Sequence, residues 1–123
     1  MEYWHYYWIT TIKNIGAKKI KYLLNTFSNP ENVYNASASS YKKLSYLSEN
    51  DIHNIIVSKK ADQITQEIKA IKNNGVEIVS IDSKVYPENL RQIEYPPYIL
   101  YKKGDVDFSK PCIAIVGSRK CSE

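Results

Sequence analysis

The chain is sparing with the residues that bend, cross-link or diversify a fold: 123 positions hold four glycines, two cysteines, two arginines and one methionine. Cys112 and Cys121 are too few and too widely spaced for a zinc knuckle or a Cys-x-x-Cys redox pair. Cys112 reads as a buried strand thiol and Cys121 as a loop thiol. No apolar run approaches the roughly 20 residues that span a bilayer. The start, MEYWHYYWITTIKNIG, lacks the basic opening and cleavable apolar core of a secretory signal. A cytoplasmic protein with no membrane partner is expected. Convergent acid–base pairs are missing too: Glu31, Glu49, Asp51, Asp62 and Glu67 scatter over helix starts and polar faces, and neither His5 nor His53 has a ligand-spaced neighbour. The sequence therefore predicts no catalytic residue, no metal site, no cofactor and no enzyme.

What is present is an ordinary globular composition, 43% hydrophobic and 24% charged, which argues against disorder. A compact chain of this length buries roughly 65% of its unfolded surface. Seventeen Lys and Arg against thirteen Asp and Glu leave a formal charge of +4, which favours an anionic partner such as nucleic acid. An AT-rich coding sequence, with its excess of Lys, Asn, Ile and Tyr, produces the same bias.

Apolar spacing divides the chain near residue 74. Trp4, Trp8 and Ile12 share a helical face, Asn14-Ile15-Gly16 breaks the pattern, and Ile20, Leu23, Leu24 and Phe27 restart it, so a helix, tight turn and helix are predicted. Asn29-Pro30 caps a short helix to about Asn35, and Ser39 or Ser40 caps a turn around Leu44. Ser48 stands three residues before Asp51 and opens a helix carrying Ile52, Ile55 and Ile56. A further helix spans Lys59 to Asn74, with Ala61, Ile64, Ile68 and Ile71 as its stripe, and Gly75 closes it. VEIVSI, residues 76–81, then reads as a strand buried on both faces or nearly so. Asp82-Ser83-Lys84 gives a turn, Pro87 leads into a brief helical turn, YILY forms a short strand ended by Gly104, and Cys112 to Val116 form a last strand. The aromatic cluster Tyr3, Trp4, Tyr6, Tyr7 and Trp8 has core spacing before it has the look of a base-stacking platform.

The last strand runs into Gly117, Ser118, Arg119 and Lys120. A missing side chain at Gly117 lets backbone amides approach an anion, while Arg119 and Lys120 add a guanidinium fork and a point charge. A dinucleotide fingerprint would need Gly-x-Gly-x-x-Gly, and Arg119 stands at its second glycine. A plain strand-to-loop turn with no ligand is the competing reading of these residues. Lys18, Lys19 and Lys21 follow the Gly16 turn, where they form either a solvated helix face or a contact for DNA backbone.

Three ordered motifs carry a resemblance: Tyr86-Pro87-Glu88-Asn89-Leu90, then Pro96-Pro97-Tyr98-Ile99-Leu100-Tyr101-Lys102-Lys103-Gly104, then Gly117-Ser118-Arg119. Together they resemble the DNA-processing protein DprA (Smf) family. IKNIGAKKIKYLL occupies the place of the hairpin in that family's N-terminal sterile-alpha-motif-like, helix-hairpin-helix-type domain, with Asn14 where the first hairpin glycine would stand. The fold implied is α+β to α/β, with residues 1–74 as the helical domain and residues 75–123 as the truncated start of a Rossmann-like DNA-binding domain, the front of a longer protein.

The function implied is binding and protection of incoming single-stranded DNA in natural transformation, with transfer to the recombinase RecA. Gly117, Ser118 and Arg119 match the start of the family's DNA pocket, Lys120 joins them by charge and position, and Gly16, Lys18 and Lys19 form a secondary DNA contact. RecA binding and homodimerisation belong to the family's full-length proteins, on surfaces expected beyond this chain. The alternative is a nucleotide-binding or nucleotide-hydrolysing Rossmann-like enzyme using the Gly-Ser-Arg turn as its phosphate site. A third reading is a helical protein-interaction module.

Overall fold

Trp4, Trp8 and Ile12 do mark one helical face: in the computed structural model, which describes residues 3–105, they belong to α1 (Trp4–Thr11) and the turn that ends it. Trp8 is wholly buried and Ile12 nearly so. α2 (Ala17–Phe27) follows, burying Ile20 and Leu23 and leaving Leu24 and Phe27 half-buried. Asn29 caps α3 (Pro30–Asn35) by accepting the Asn32 amide at 2.8 Å, with Pro30 at the first helical position, where its missing N–H costs nothing.

The next cap differs from expectation. α4 (Ala38–Lys42) is capped by Ser37, whose extended backbone lets its Oγ accept the Ser40 amide, whereas Ser39 and Ser40 already lie in the first turn. α5 (Glu49–Val57) opens with a reciprocal capping box: Ser48 Oγ accepts the Asp51 amide and Asp51 accepts the Ser48 amide, each at 3.0 Å. Ile52 and Ile55 turn inward while Ile56 is exposed. In α6 (Ala61–Asn73), Ile64 and Ile68 form the buried stripe and Ile71 is half-buried, but Ala61 faces solvent because it begins the helix beyond the edge of the core. Gly75, at φ 77°, then reverses the chain in a backbone region that a Cβ disfavours.

β1 (Val76–Ser80) and β2 (Ile99–Lys103) pair antiparallel, in register Ile78 with Tyr101 and Ser80 with Ile99. Between them lies α7 (Glu88–Arg91), the brief turn expected after Pro87. β2 begins later than the YILY reading because Tyr98 gives its carbonyl to the Ile81 amide just outside the ladder. β1 is less buried than its composition suggests: Ile78, Val79 and Ser80 are enclosed, but Glu77 is exposed and reaches across the ladder to Lys102. The described residues thus form an α+β arrangement, six helices followed by an antiparallel pair that encloses a seventh.

One buried cluster joins these elements, running from Trp8 and Ile9 through Leu23, Val33, Tyr41, Ile55 and Ile68 to Ile78 and Ile99. Each such side chain contributes about 1.5–3 kcal/mol by leaving water. Aromatic residues of α1 supply the polar anchors: Trp4 Nε1 donates to Thr65 at 3.1 Å, Trp8 Nε1 to Ser58 at 2.9 Å, and the Tyr7 hydroxyl to Glu67 at 3.1 Å. Tyr6 stacks on Tyr98, tying α1 to the start of β2. The aromatic cluster of the N-terminus is therefore core, as its spacing requires. The expected strand Cys112 to Val116 lies outside the described residues.

Candidate nucleic-acid interface

The turn between α1 and α2 is held from below by Ile12 and Ile15, both buried. Asn14 takes the left-handed conformation, φ 62°, which Asn tolerates better than most residues because its short polar side chain bonds locally. Gly16, the N-cap of α2, has φ −89° and ψ −178°, an extended shape open to any residue, and a Cβ there would meet nothing within 4 Å. No side chain caps this helix, so the first amides of α2 keep their partial positive charge beside Gly16 and Lys18, both exposed.

Lys19 behaves differently from Lys18. Its ammonium donates to Asp51 Oδ2 at 2.7 Å, with the Asp51 side chain 5% exposed. Burial alone would raise the Asp51 carboxyl, but the bonds from Lys19 and Ser48 and the charge of Lys19 outweigh it and hold the group below its usual range. The two N-terminal turns of α2 and α5 are joined through this pair. Of the three residues expected to make a secondary contact, Gly16 and Lys18 are open and Lys19 has its charge balanced within the protein.

The outward face of α2 continues from Lys18. The Lys18 ammonium lies 6.0 Å from the centre of the Tyr22 ring, and that ring tilts against Tyr46 at 5.3 Å. Lys21 stands 5.1 Å over the Tyr95 ring and donates to the Glu94 carbonyl at 3.2 Å, which fastens the segment before β2 alongside the helix. Tyr22 and Tyr95 are 40% and 39% exposed, large apolar surfaces that the core does not use. Spacing alone identifies Lys18 and Lys21 as one face; Tyr95 joins them only through a fold that brings residues 73 positions apart together.

Within the segment that carries the family motifs, Tyr86 is buried and donates its hydroxyl to the Pro97 carbonyl at 2.7 Å. Burial pushes the Tyr86 phenol up, against the opposing charge of Arg91, whose guanidinium lies 5.2 Å from the ring. Arg91 also donates to the Ile81 carbonyl through Nε at 3.1 Å and Nη2 at 2.9 Å, and to the Ser83 carbonyl at 3.0 Å, and it pairs with Glu88. This clamp is absent from the sequence reading. Its one signal is an arginine directly after Leu90 in a chain with only two.

His5 packs edge-on against Trp4 and Tyr34, and burial lowers it; His53 is exposed on α5. Among the described residues no group of three or more His, Cys, Asp or Glu is arranged to hold a metal ion, and no helix is long and apolar enough to cross a membrane. Gly117, Ser118, Arg119 and Lys120 lie outside the described residues.

Comparison with known proteins bears on the same C-terminal segment. Residues 77–123 match the family described as DNA recombination-mediator protein A. Protein Smf of Borreliella burgdorferi is 39% identical over 56 residues, which make up 45% of this chain and 18% of that protein's length. No solved structure matches significantly.

Proposed function

We propose that this chain, whose residues 77–123 match the DNA recombination-mediator protein A family, binds single-stranded DNA as the N-terminal portion of such a mediator. In this reading the whole protein protects incoming DNA in natural transformation, passes it to the RecA recombinase, self-associates, and is not an enzyme. Residues 1–74 serve as a sterile-alpha-motif-like, helix-hairpin-helix-type unit, and residues 75–123 open a Rossmann-like DNA-binding domain.

The observation that carries the reading is the family match, which spans all three ordered motifs, Gly117-Ser118-Arg119 among them. The bond from Tyr86 to Pro97 supports it, because it gives the first two motifs a shared structural reason to occur together. Chemistry supports the turn itself: Gly117 clears space for a phosphate, Ser118 offers a hydroxyl, Arg119 makes two parallel charge-assisted bonds, and Lys120 adds a point charge. Gly16 and Lys18 offer a secondary contact at the start of α2, with Lys19 next to them.

Arg119→Ala tests the turn. Each phosphate contact on a single strand contributes a slope of about −0.7 in log affinity against log salt, so this variant flattens the slope by about 0.7 and weakens all base sequences alike. The exposed β2 residue Lys103, replaced by Ala, costs less. An unchanged slope in a folded Arg119→Ala protein places the DNA elsewhere. Loss of affinity for an adenine or nicotinamide nucleotide, with DNA binding untouched, indicates a nucleotide site instead.

A further inference from the structure

We propose that the outward face of α2 is a second single-stranded DNA-binding surface, on which Tyr22 and Tyr95 stack bases and Lys18 and Lys21 hold phosphates. The inference takes its ligand class from the function proposed above and extends the secondary contact at Lys18 along α2 to Tyr22, Lys21 and Tyr95, residues apart from Gly117 to Lys120.

The first observation is charge. Between Tyr3 and Ser48 the chain has six lysines, three of them on α2, and one carboxylate, Glu31. Asp51 neutralises Lys19, which leaves the exposed Lys18 and the half-buried Lys21 as the α2 cations beside Tyr22 and Tyr95.

The second is the interleaving of those cations with rings. Lys18 accompanies Tyr22 and Lys21 accompanies Tyr95, at 6.0 and 5.1 Å, so each exposed phenol has an ammonium beside it. A single strand presents this alternation, base planes between phosphates, and proteins that bind it without sequence preference combine aromatic platforms with a basic track.

The third is that the rings are held in position. Tyr22 leans on Tyr46, whose hydroxyl is 3.0 Å from Thr26 Oγ1 one turn further along α2. The Lys21 bond to the Glu94 carbonyl fixes the segment bearing Tyr95. Pre-positioned rings lose little freedom when a base stacks on them. Neither ring belongs to the buried core cluster, which leaves part of each face open to a base, and the neighbouring lysines favour an anionic ligand.

The test is titration of the 123-residue chain with a fluorescent oligothymidylate of about 20 nucleotides, long enough to cover more than one contact region. The pair Tyr22→Leu with Tyr95→Leu keeps an apolar helix face and lowers affinity about 5- to 150-fold for each base that loses its platform, with the salt slope preserved. Lys18→Gln with Lys21→Gln flattens the slope by about 1.4 and, since Lys21 also fastens the segment bearing Tyr95, weakens stacking there as well. Glu94→Gln, which removes the one carboxylate between Gln92 and Tyr98, tightens binding. Circular dichroism confirms the fold of every variant.

The inference is overturned if the folded tyrosine pair binds as the unaltered chain does, or if the unaltered chain does not bind the oligomer. It is equally overturned if these substitutions abolish a dimer seen by sedimentation and leave DNA affinity alone, which makes the face a protein contact. Arg119→Ala separates the two proposals. A tyrosine effect without an Arg119 effect sinks the turn and keeps this face, and the reverse sinks this face and keeps the turn.

Discussion

Tyr86 gives its hydroxyl proton to the carbonyl of Pro97, 11 residues away, at 2.7 Å, and Arg91 lies over the same ring. Two sequence motifs that look independent are thus one structural unit, a ring inserted between the turn after β1 and the entry to β2. Tyr86→Phe keeps the ring and loses the bond, leaving a part-buried carbonyl unpaired at a cost of about 1–2 kcal/mol. Thermal unfolding should show it as a fall of about 4–8 °C per kcal/mol. An unchanged midpoint would mean that water replaces the hydroxyl.

Arg91 holds the turn at Ile81 and Ser83 through a planar fork that lysine cannot copy. Arg91→Lys is expected to speed hydrogen exchange at the Ile81 amide, which bonds to Tyr98, while leaving Ile20 and Leu23 on α2 as slow as before. Equal acceleration in both places would show a global loss of stability and not a local clamp.

The Lys19–Asp51 pair predicts a pH dependence. Because the folded Asp51 carboxyl is held below its ordinary value of 3.8, its stabilisation is fully present above that pH and is lost as pH falls through the lower folded value. Asp51→Asn should therefore cost about 1–2 kcal/mol at neutral pH, through the weakened cap and the lost ion pair, and the gap from the unaltered chain should close in acid. Denaturant titrations at neutral pH and well below 3.8 measure it; a gap that widens in acid contradicts the assignment.

At the α1–α2 turn the strained position is Asn14 and not Gly16. Asn14→Ala should destabilise by about 1 kcal/mol and Asn14→Gly should be neutral or better, since glycine enters the left-handed region freely. Gly16→Ala should fold normally. If it unfolds the chain, the backbone around residue 16 is more constrained than its open surroundings indicate.

Local chemistry makes much of this fold legible in the sequence. Asn29-Pro30, Ser48 with Asp51, and Gly75 each act on their own neighbours, and each stands where its side chain, or lack of one, predicts. Ser37 is missed because three serines within four positions offer the same oxygen, and only the backbone decides which is extended. The antiparallel partner of β1 is hidden for another reason: VEIVS is apolar enough to suit a fully enclosed strand, and the exposure of Glu77 follows only once β2 is beside it. In the candidate interface, Lys18 is legible from helical spacing, whereas Tyr95 and the engagement of Lys19 by Asp51 depend on residues far away in the chain. Gly117 to Lys120 lie outside the described residues, and their reading as a phosphate site rests on residue chemistry alone.

The most direct test of single-stranded DNA binding is the affinity of the whole chain for an oligothymidylate at two salt concentrations, with adenine and nicotinamide nucleotides as competitors. Binding that weakens as salt rises, with a log–log slope of about −0.7 per phosphate held, and that neither nucleotide displaces is the result expected. Binding of a nucleotide with no measurable affinity for the oligomer at either salt concentration would contradict it.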